Sequence, residues 1–271
     1  MQIIGGKAIA SDIIERLKSR PLPKRFLGAV LVGDDKSSIS FLKQKEKTAK
    51  ELGVDFRMYR FPKDITNDEL RGEVGKIAAH KTCGGVIVQL PLPEHLNQYY
   101  VLNAIPKEKD VDVLCGQALG AFYVGRSEVL PPAVGTVNEI ISTLNIELEN
   151  CSVAIVGLGI LVGRPIANWI MRRAKETMLL RSTSDLIALK DADIVITGTG
   201  RAGLISPDML KDGASVIDFG YGTVEGKYSG DLDARELAVR AERLGFYTPT
   251  PGGTGPILVA KLFENFYELN K

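Results

Sequence analysis

Residues 151–173 decide the fold of the second half of this chain, and they read CSVAIVGLGILVGRPIANWIMRR. An apolar run at 153–156 is followed at once by Gly157, Gly159 and Gly163, and a helical pattern then begins. This order of strand, glycine turn and helix is typical of a unit that binds a dinucleotide pyrophosphate at the helix N-terminus. Gly157 would permit the sharp turn, Gly159 the close approach of the pyrophosphate, and Gly163 the packing of helix against strand. The spacing G-x-G-x-x-x-G is one residue longer than the common fingerprint.

Length and charge narrow the class of protein. The 271 residues predict roughly two domains of about 150 residues each. Lys+Arg 34 and Asp+Glu 33 nearly cancel, so no basic field favours nucleic acid as a partner. No apolar run reaches about 18 residues, so we expect no membrane span. The start of the chain lacks the layout of a signal peptide, and we expect a cytoplasmic protein.

The cysteines and histidines do not form a cluster in the sequence. Cys83, Cys115 and Cys151 are scattered and show no C-x-x-C spacing, which indicates buried or inert thiols in a reducing compartment. There are two histidines, His80 and His95, and they are not grouped with the cysteines. We therefore expect no metal site and no histidine-based triad.

Strands and helices alternate through the first hundred or so residues. The predicted elements are a helix at 9–17, a strand at 27–33, a helix at 38–52, a strand at 54–58, a helix at 67–81, a strand at 85–90 and a helix at 94–102. Ser37 or Ser38 is predicted to cap the second helix, and Asn67 the third. This alternation argues for an α/β layer with a parallel sheet.

The second half shows the same alternation after a loop-rich stretch at 117–135 and a helix at 136–144. The predicted elements are strands at 152–156, 177–181, 193–197 and 214–219, with helices at 160–174, 184–189, 206–211 and 233–244. This order is the doubly wound pattern. TPTPGGTGP follows at 248–256, and a final helix is predicted at 256–269. The glycines and prolines of 248–256 predict a turn, and they also allow a ligand to approach the backbone closely.

The end of the second strand in the glycine-turn unit is where a ribose contact is expected. An acidic residue there would hold a 2′-hydroxyl, but this chain has Arg181, Ser182 and Thr183, with no carboxylate before Asp185. An arginine with neighbouring hydroxyls suits a 2′-phosphate, which favours NADP over NAD. The alternative is that Arg181 is an ordinary solvated cation.

Several polar residues of the first half could carry chemistry, and each has a plainer interpretation. Lys45 follows Phe41 by four residues, so an aromatic shelf and an ammonium share one helix face. Because three other lysines surround Lys45, the periodicity by itself favours a solvated charged face. Gln89 ends an apolar strand. Parallel sheets bind their ligands at the carboxyl ends of their strands, so Gln89 could contact a ligand; the alternative is that its amide caps local backbone. Asp112 could face an amino group, or form a solvated acidic turn with Asp110.

Taken together, these segments resemble the bifunctional methylenetetrahydrofolate dehydrogenase/cyclohydrolase family. The matching stretches, in family order, are GKAIA, VGDD with F-x-x-x-K, GGVIVQLPLP, KDVD, VGLGILVGRP, ADIVITGTG, VIDFGYG, GKYSGDLD and TPTPGGTGP. They cover nearly the whole chain, and QLPLP and PGGTGP are highly specific. The resemblance implies oxidation of 5,10-methylene-tetrahydrofolate with NAD(P)+ to the 5,10-methenyl cation, and hydrolysis of that cation to 10-formyl-tetrahydrofolate.

The resemblance also implies roles for the residues that match the motifs of the family. Lys45 matches the catalytic lysine, Gln89 the glutamine that positions it, and Asp112 the aspartate that anchors the pterin. The implied folate-binding residues are these last two together with Phe41, Leu90, Pro91, Pro251, Gly252, Gly253 and Pro256. The implied cofactor-binding residues are Gly157, Leu158, Gly159, Val162, Gly163, Arg181, Ser182, Thr183, Thr199 and Gly200.

The implied architecture is an N-terminal α/β catalytic domain and a Rossmann-like dinucleotide-binding domain, with a cleft between them. The expected bounds are 1–125 for the folate-binding catalytic domain, completed by the C-terminal helix 256–271, and 126–255 for the NAD(P)-binding domain. The resemblance further implies a homodimer, tetrahydrofolate derivatives as substrates, NADP or else NAD as cofactor, and a part in one-carbon metabolism and purine biosynthesis.

The chain departs from the family pattern at several of these positions. Phe41 stands where the family has tyrosine, so the stacking surface remains and the hydroxyl is lost. Val113 replaces a glycine, and PPAVG at 131–135 replaces the P-C-T-P-x-G segment. Leu158 and Gly159 replace Arg-Ser, which removes one expected contact to a 2′-phosphate and weakens the preference for NADP. Three hypotheses remain: both activities, one activity with cyclohydrolase favoured, or a binding protein without catalysis.

Overall fold

The computed structural model describes residues 1–181, 183–224, 226–233, 235–237 and 243–271. Its strands are β1 (Gln2–Ile3), β2 (Phe26–Val32), β3 (Phe56–Phe61), β4 (Cys83–Val88), β5 (Ser152–Val156), β6 (Glu176–Leu180), β7 (Ile194–Thr197), β8 (Ser215–Asp218), β9 (Gly222–Val224), β10 (Lys227–Ser229) and β11 (Phe246–Tyr247). Its α-helices are α1 (Gly6–Lys18), α2 (Lys36–Leu52), α3 (Asn67–Ala79), α4 (Gln98–Leu102), α5 (Gly116–Tyr123), α6 (Pro132–Thr143), α7 (Gly163–Ile170) and α8 (Thr254–Glu268). Across the described ranges, no helix is long and apolar enough to cross a membrane.

The chain divides into two compact units. One unit comprises residues 12–132 and 259–271, and we call it the lysine unit because it contains Lys45. The other comprises residues 1–11 and 133–258, and we call it the glycine-turn unit. These units describe packing; the functional domains at 1–125 and 126–255 remain a prediction.

The lysine unit is built on a three-stranded parallel sheet in the order β3-β2-β4. The central strand β2 is buried along its whole length, as expected for a strand covered on both faces. The helices of this unit bury one apolar stripe each; in α1 the buried stripe includes Ile13, Ile14 and Leu17, as the spacing predicts. The alternating layers confirm the predicted α/β fold class of this half.

Two predicted helix caps in the lysine unit are wrong by a residue or more. Helix α2 begins at Lys36, and its N-cap is Asp35, whose carboxylate accepts a hydrogen bond from the Ser38 backbone N–H over 2.7 Å. Helix α3 is capped by Thr66, which forms a reciprocal capping box with Glu69. In both places a residue slightly earlier in the chain than the predicted cap has the acceptor geometry that a cap requires.

Several predicted helices and one predicted loop also differ from the structure. The segment 117–135 is not loop-rich throughout, because α5 starts at Gly116 and buries Ala118 and Phe122, which lie four residues apart. The helix predicted at 94–102 is reduced to α4, and those predicted at 184–189 and 206–211 are single 3-10 segments, Leu186–Asp191 and Pro207–Met209. Half of the helix predicted at 233–244 falls on residues outside the described ranges.

The glycine-turn unit contains a six-stranded parallel sheet in the order β1-β11-β8-β7-β5-β6. The chain proceeds from β5 outward to β6 and then returns to the other side of β5 with β7. The topological switch point of this sheet therefore lies between the carboxyl ends of β5 and β7, where doubly wound folds bind their ligands. The N-terminal strand β1, the short strand β11 and the hairpin β9–β10 give no clear apolar pattern, and the sequence did not predict them.

Candidate functional site

Lys45 lies on the buried stripe of helix α2, not on a solvated charged face. The buried residues of this helix are Ser38, Leu42, Lys45, Ala49 and Leu52, which follow the three-and-four spacing of one helical face. Lys45 is only 4% exposed, whereas its neighbours Lys43 and Lys47 are exposed. The interpretation of Lys45 as part of a solvated face is therefore wrong, and the apolar residues three and four positions away from it carried the signal.

The Lys45 ammonium meets two of the predicted site residues. Its Nζ donates a hydrogen bond to Gln89 Oε1 over 3.2 Å, and it lies 5.1 Å from the centroid of the Phe41 ring. Gln89 is held in turn, because its Nε2 donates to the Leu90 carbonyl over 2.8 Å. The amide oxygen of Gln89 is thereby directed at the lysine, and the neighbouring peptide bond Leu90–Pro91 is cis.

Asp112 is the carboxylate that interacts electrostatically with Lys45. Burial lowers the pKa of Lys45, and the charge of Asp112 opposes that shift. Burial likewise raises the pKa of Asp112, and the charge of Lys45 opposes it. Since Gln89 is neutral and cannot stabilise an ammonium as a carboxylate would, the pocket favours a neutral amine at lower pH than an exposed lysine needs.

Asp110 and Asp112 have different surroundings, although they are only two residues apart. Asp110 is 1% exposed, and its Oδ2 accepts hydrogen bonds from the backbone N–H groups of Leu114 (2.8 Å) and Cys115 (2.7 Å). Asp110 therefore fixes the turn after KDVD, and the two aspartates do not form a solvated acidic turn. Val113, in the same turn, has φ +57°, which is uncommon for a β-branched residue.

Ser38 is a buried residue of α2 that the sequence suggested only as a helix cap. It lies seven residues before Lys45 on the buried stripe and is 3% exposed. Its hydroxyl oxygen meets no hydrogen-bond partner of good geometry within the part of the chain that the structure describes, although, after Ser37, it helps to lower the pKa of the Asp35 carboxyl. A buried, unsatisfied hydroxyl costs free energy, so this position is available to a polar group of a ligand.

The glycine turn after β5 has the close packing that the sequence predicts. Gly157 has φ +89°, and a Cβ added there would lie 2.9 Å from the Gly198 carbonyl oxygen. A Cβ added at Gly163 would lie 1.8 Å from the Gly157 carbonyl oxygen, so the start of α7 touches the turn. By contrast, a Cβ at Gly159 would have open space around it. The turn therefore leaves room at Gly159 for a phosphate beside the N-terminus of α7.

The longer glycine spacing changes where the helix begins. The sequence predicted a helix from 160 to 174, but α7 starts at Gly163 and ends at Ile170. Residues 160–162 form a turn, and Val162 precedes the helix without a side-chain cap. Arg164, which the sequence did not single out, donates from Nε to the Leu158 carbonyl oxygen over 2.8 Å and so ties the turn to the helix.

The remaining predicted cofactor residues follow the carboxyl ends of β6 and β7. Arg181 and Thr183 are exposed after β6, and Ser182 lies outside the described residues. Thr199 and Gly200 follow β7, and Gly200 has φ +67°. These two turns flank the glycine turn of β5 in the sheet order, so the glycine-turn unit brings these positions to one edge of its sheet.

The proline-glycine segment is anchored to the same edge of the glycine-turn unit. Thr254 Oγ1 donates to the Asp218 carbonyl over 2.9 Å, and the Asp218 N–H donates to Thr248 Oγ1 over 2.8 Å. A Cβ added at Gly6 would lie 1.7 Å from the Gly253 carbonyl oxygen, and the Gly6 N–H donates to the Gly252 carbonyl over 2.8 Å. Both Pro251 and Pro256 lie in this segment, Pro251 before α8 and Pro256 in its first turn.

The fold and these two sets of residues define an α/β protein of two units, one with a Rossmann-type sheet and glycine turn and one with a buried lysine site. The chain belongs to the tetrahydrofolate dehydrogenase/cyclohydrolase family. Residues 4–112 match the model of its catalytic domain, and residues 131–271 match the model of its NAD(P)-binding domain. The resemblance found in the sequence motifs is thus confirmed.

Individual relatives agree with this assignment over the full chain. The bifunctional protein FolD of Halothermothrix orenii is 36% identical over 284 residues, which covers 100% of this chain and 98% of that protein. The crystal structure of the bifunctional enzyme FolD, a methylenetetrahydrofolate dehydrogenase/cyclohydrolase from Campylobacter jejuni, superposes with a TM-score of 0.91 at 31% identity and covers 100% of this chain and 98% of that one. The corresponding enzyme of Trypanosoma brucei, complexed with NADP cofactor and inhibitor, gives a TM-score of 0.90 at 27% identity, with 98% and 96% covered.

Proposed function

We propose that this protein oxidises 5,10-methylene-tetrahydrofolate to 5,10-methenyl-tetrahydrofolate with NADP+ and hydrolyses the product to 10-formyl-tetrahydrofolate. The observation that carries the proposal is the buried Lys45, which donates to Gln89 and interacts with Asp112 in the lysine unit. All three residues match family motifs, and the family model of the catalytic domain covers all three positions. A lysine held in this way is suited to acid–base work rather than to a structural ion pair.

In the hydrolysis, Lys45 is the base and proton shuttle. A neutral amine accepts a proton from water as the water oxygen bonds to the methenyl carbon. The same proton is then delivered to N5 of the folate as the bond between N5 and that carbon breaks. The remaining hydroxyl proton leaves to solvent as the C=O double bond forms, so the formyl group stays on N10 and one proton is released overall. Gln89 accepts one N–H of the amine and so keeps the lone pair of Lys45 free for the water. Asp112 is proposed to anchor the pterin amino group, and Phe41 to stack on the ring.

The dinucleotide supplies the hydride acceptor for the oxidation. The turn Gly157–Gly159 and the start of α7 at Gly163 fit its pyrophosphate, because the backbone is close-packed behind the turn and open at Gly159. The other residues proposed to hold the cofactor are Leu158, Val162, Arg181, Ser182, Thr183, Thr199 and Gly200. The chain's contribution to hydride transfer is to position the cofactor against the folate carbon.

A second candidate function is cyclohydrolase activity without efficient dehydrogenase activity. Phe41 favours it, because Lys45 and Gln89 are kept while the hydroxyl of the family tyrosine is lost. The absence of Arg-Ser at Leu158 and Gly159 weakens the preference for NADP over NAD, since the 2′-phosphate loses a contact. A binding protein without catalysis is the third candidate, and the buried Lys45 argues against it.

The wider proposals rest on the same family membership. The folate-binding catalytic domain is proposed at 1–125, completed by residues 256–271, and the NAD(P)-binding domain at 126–255. Folate residues proposed in addition to those of the lysine site are Leu90, Pro91, Pro251, Gly252, Gly253 and Pro256. We further propose a cytoplasmic homodimer that supplies one-carbon units for purine biosynthesis.

Two separate assays on the purified protein test the proposal. In the first, 5,10-methylene-tetrahydrofolate is supplied with NADP+ and then with NAD+, and reduced nicotinamide is followed by absorbance. In the second, added 5,10-methenyl-tetrahydrofolate is followed as it is hydrolysed, with the uncatalysed rate subtracted. Turnover in both supports the bifunctional proposal. Hydrolysis alone favours the second candidate, and a folded protein silent in both assays contradicts both enzyme functions.

A further inference from the structure

Asp231 is a fully buried carboxylate in the glycine-turn unit that has no part in the chemistry proposed for Lys45. It is 0% exposed. Its Oδ2 accepts two short hydrogen bonds, one from Thr197 Oγ1 over 2.7 Å and one from the Thr199 backbone N–H over 2.6 Å. Thr197 ends β7, and Thr199 lies in the turn that follows. The carboxylate therefore accepts hydrogen bonds from the residues on both sides of Gly198.

The turn that Asp231 holds packs directly against the glycine turn. A Cβ added at Gly157 would lie 2.9 Å from both the Gly198 carbonyl oxygen and Thr199 Cγ2. A Cβ added at Gly198 would lie 2.7 Å from Val162 Cγ1, just before α7. Residues 198–199 thus form a wall behind the glycine turn, at the switch point of the sheet. A shift of this wall would move the backbone where the pyrophosphate is proposed to bind.

Asp231 is itself fixed by the strand-like segment around it. The Gly203 N–H donates to the Gly230 carbonyl over 3.0 Å, and the Ile205 N–H donates to the Asp231 carbonyl over 2.8 Å. A Cβ added at Gly220 would lie 2.3 Å from Asp231 Oδ1, so the glycine makes room for the carboxylate. The segment that carries the carboxylate is more than thirty residues later in the sequence than the turn to which the carboxylate is hydrogen-bonded.

Burying the carboxylate of Asp231 costs more free energy than a purely structural contact would justify. Its Oδ1 is buried and accepts no hydrogen bond from the residues that the structure describes. A second buried carboxylate, Asp218, lies close enough that burial and the charge of Asp231 together raise the pKa of Asp218 to about 7. Asp218 Oδ1 and Oδ2 accept from the N–H groups of Gly220 and Leu232. A carboxylate in such a place needs a reason, since buried charges are costly.

We propose that Asp231 is a positioning residue for the dinucleotide cofactor, which it serves by holding the 198–200 turn against the glycine turn. This inference rests on the proposed function, because it assumes that a dinucleotide binds at that turn. Asp231 acts through the backbone of Thr199 and needs no contact with the cofactor. Its removal should therefore weaken dinucleotide binding and dehydrogenase turnover while the hydrolysis assigned to Lys45 continues.

The test compares three variants with the wild-type protein. Asp231→Ala removes both acceptor contacts. Asp231→Asn keeps a carbonyl oxygen that can accept both hydrogen bonds, so it should rescue the turn. Asp193→Ala is the matched control, because Asp193 also accepts a backbone N–H, that of Ser152 over 2.9 Å, but lies just before β7 at the opposite end of that strand. The measurements are the Kd for NADP+ and NAD+ by equilibrium binding, KM and kcat of the dehydrogenase, the cyclohydrolase rate and the melting temperature.

The inference predicts a selective effect. Asp231→Ala should raise the cofactor Kd and KM by about 10- to 100-fold, as expected for the loss of two hydrogen bonds to a charged group. Its cyclohydrolase rate should stay within about twofold of the wild type. Asp231→Asn should recover most of the affinity, and Asp193→Ala should bind cofactor like the wild type. If Asp231→Ala does not fold, Thr197→Val removes one donor alone and should still raise the Kd by about 3- to 10-fold.

Three kinds of result would overturn the inference. Unchanged cofactor affinity in Asp231→Ala, or in Thr197→Val when that variant replaces it, overturns the inference and leaves the proposed function intact. A parallel fall of both activities and of melting temperature, matched by Asp193→Ala, shows a structural role only. A wild-type protein that binds neither dinucleotide contradicts the proposed function itself, and the inference falls with it.

Discussion

Lys45 Nζ donates a hydrogen bond to Gln89 Oε1 over 3.2 Å, and this contact joins the middle of helix α2 to the residue that follows strand β4. The hydrogen-bond partner of this 4% exposed lysine is thus a neutral amide, and the carboxylate of Asp112 acts on it as a charge. An amide accepts one N–H and leaves the basicity of the amine nearly unchanged, whereas a carboxylate in its place would hold the ammonium form.

Replacing Lys45 by methionine should separate the two activities. The variant keeps the length of the side chain and loses the amine, so cyclohydrolase turnover should fall by about 10²- to 10⁴-fold. Dehydrogenase turnover should fall less, because hydride transfer depends on positioning. Lys43→Met is the matched control, since Lys43 is exposed on the same helix, and it should leave both rates unchanged. Equal losses of both activities in a folded Lys45→Met protein would contradict the role of Lys45 as proton shuttle.

The pH dependence of stability should also change in Lys45→Met. Burial lowers the pKa of Lys45 in the folded protein, so the unfolded chain binds more protons between that folded pKa and 10.5. The free energy of unfolding of the wild type should therefore rise with pH through this window, and the rise should be absent from Lys45→Met. Urea unfolding at a series of alkaline pH values measures it. The same slope in both proteins would show that Lys45 is not the group responsible.

Gln89→Glu should move the pH profile of the cyclohydrolase to higher pH. A carboxylate beside Nζ favours the ammonium form, so the pKa of Lys45 rises and less neutral amine is present at a given pH. The rate at neutral pH should drop by about tenfold or more and recover in alkaline buffer. Gln44→Glu, which adds the same charge at an exposed position of α2, serves as the control. A drop that is independent of pH would mean that Gln89 does not act through the protonation of Lys45.

Phe41→Tyr restores the hydroxyl that the family tyrosine carries. The Phe41 ring is already placed, with Lys45 Nζ at 5.1 Å from its centroid. One regained hydrogen bond is worth about 0.5–1.5 kcal/mol, so kcat/KM for the folate should rise by up to about tenfold. A larger gain would indicate that the hydroxyl relays a proton. Phe61→Tyr, at a half-buried position in the same unit, should have no such effect. A fall in kcat/KM without loss of stability would show that this site has adapted to phenylalanine.

At position 113, the usual order of stability, in which an alanine variant is more stable than a glycine variant, should be inverted. Val113 is fully buried and has φ +57°, a left-handed conformation that costs a non-glycine residue about 1–2 kcal/mol. Val113→Ala loses buried methyl groups and keeps that strain, whereas Val113→Gly loses the side chain and relieves it. The glycine variant should therefore be at least as stable as the alanine variant in urea unfolding.

Val111 supplies the comparison for that experiment, because it is equally buried and has no left-handed φ. There the usual order should hold, with the glycine variant less stable than the alanine variant by about 0.5–1 kcal/mol. The same order at both positions would mean that the backbone at 113 carries no strain that glycine relieves.

The sequence predicted the α/β class and most strands, because buried parallel strands and glycine turns leave local patterns. The strands at β5 to β8 and the close packing of Gly157 and Gly163 were of this kind. The capping residues were placed one or more residues late, since both Asp35 and Ser38, or Thr66 and Asn67, are acceptable caps and only the geometry decides between them. Short edge strands such as β1 and β11 contain too few residues for a pattern.

The site was less predictable than the fold, because its interactions join segments far apart in the chain. The apolar spacing of Leu42 and Ala49 marks Lys45 as buried, but nothing local identifies its partner, because the contact with Gln89 spans 44 residues. The carboxylate of Asp231 reaches Thr199 across 32 residues, and no periodicity reports such a pairing. Motif resemblance predicted the roles of Lys45, Gln89 and Asp112, whereas the burial that makes those roles chemically reasonable came from the structure.

The most direct test of the bifunctional assignment is to supply 5,10-methylene-tetrahydrofolate and NADP+ together and to quantify the reduced cofactor and 10-formyl-tetrahydrofolate over time. The assignment predicts that the two products accumulate in equal amounts, with 5,10-methenyl-tetrahydrofolate disappearing faster than it hydrolyses in buffer, and that Lys45→Met lets the methenyl compound accumulate. No reduced cofactor with either NADP+ or NAD+, from folded protein, would contradict the dehydrogenase. Methenyl-tetrahydrofolate that decays only at the rate seen in buffer would contradict the role assigned to Lys45.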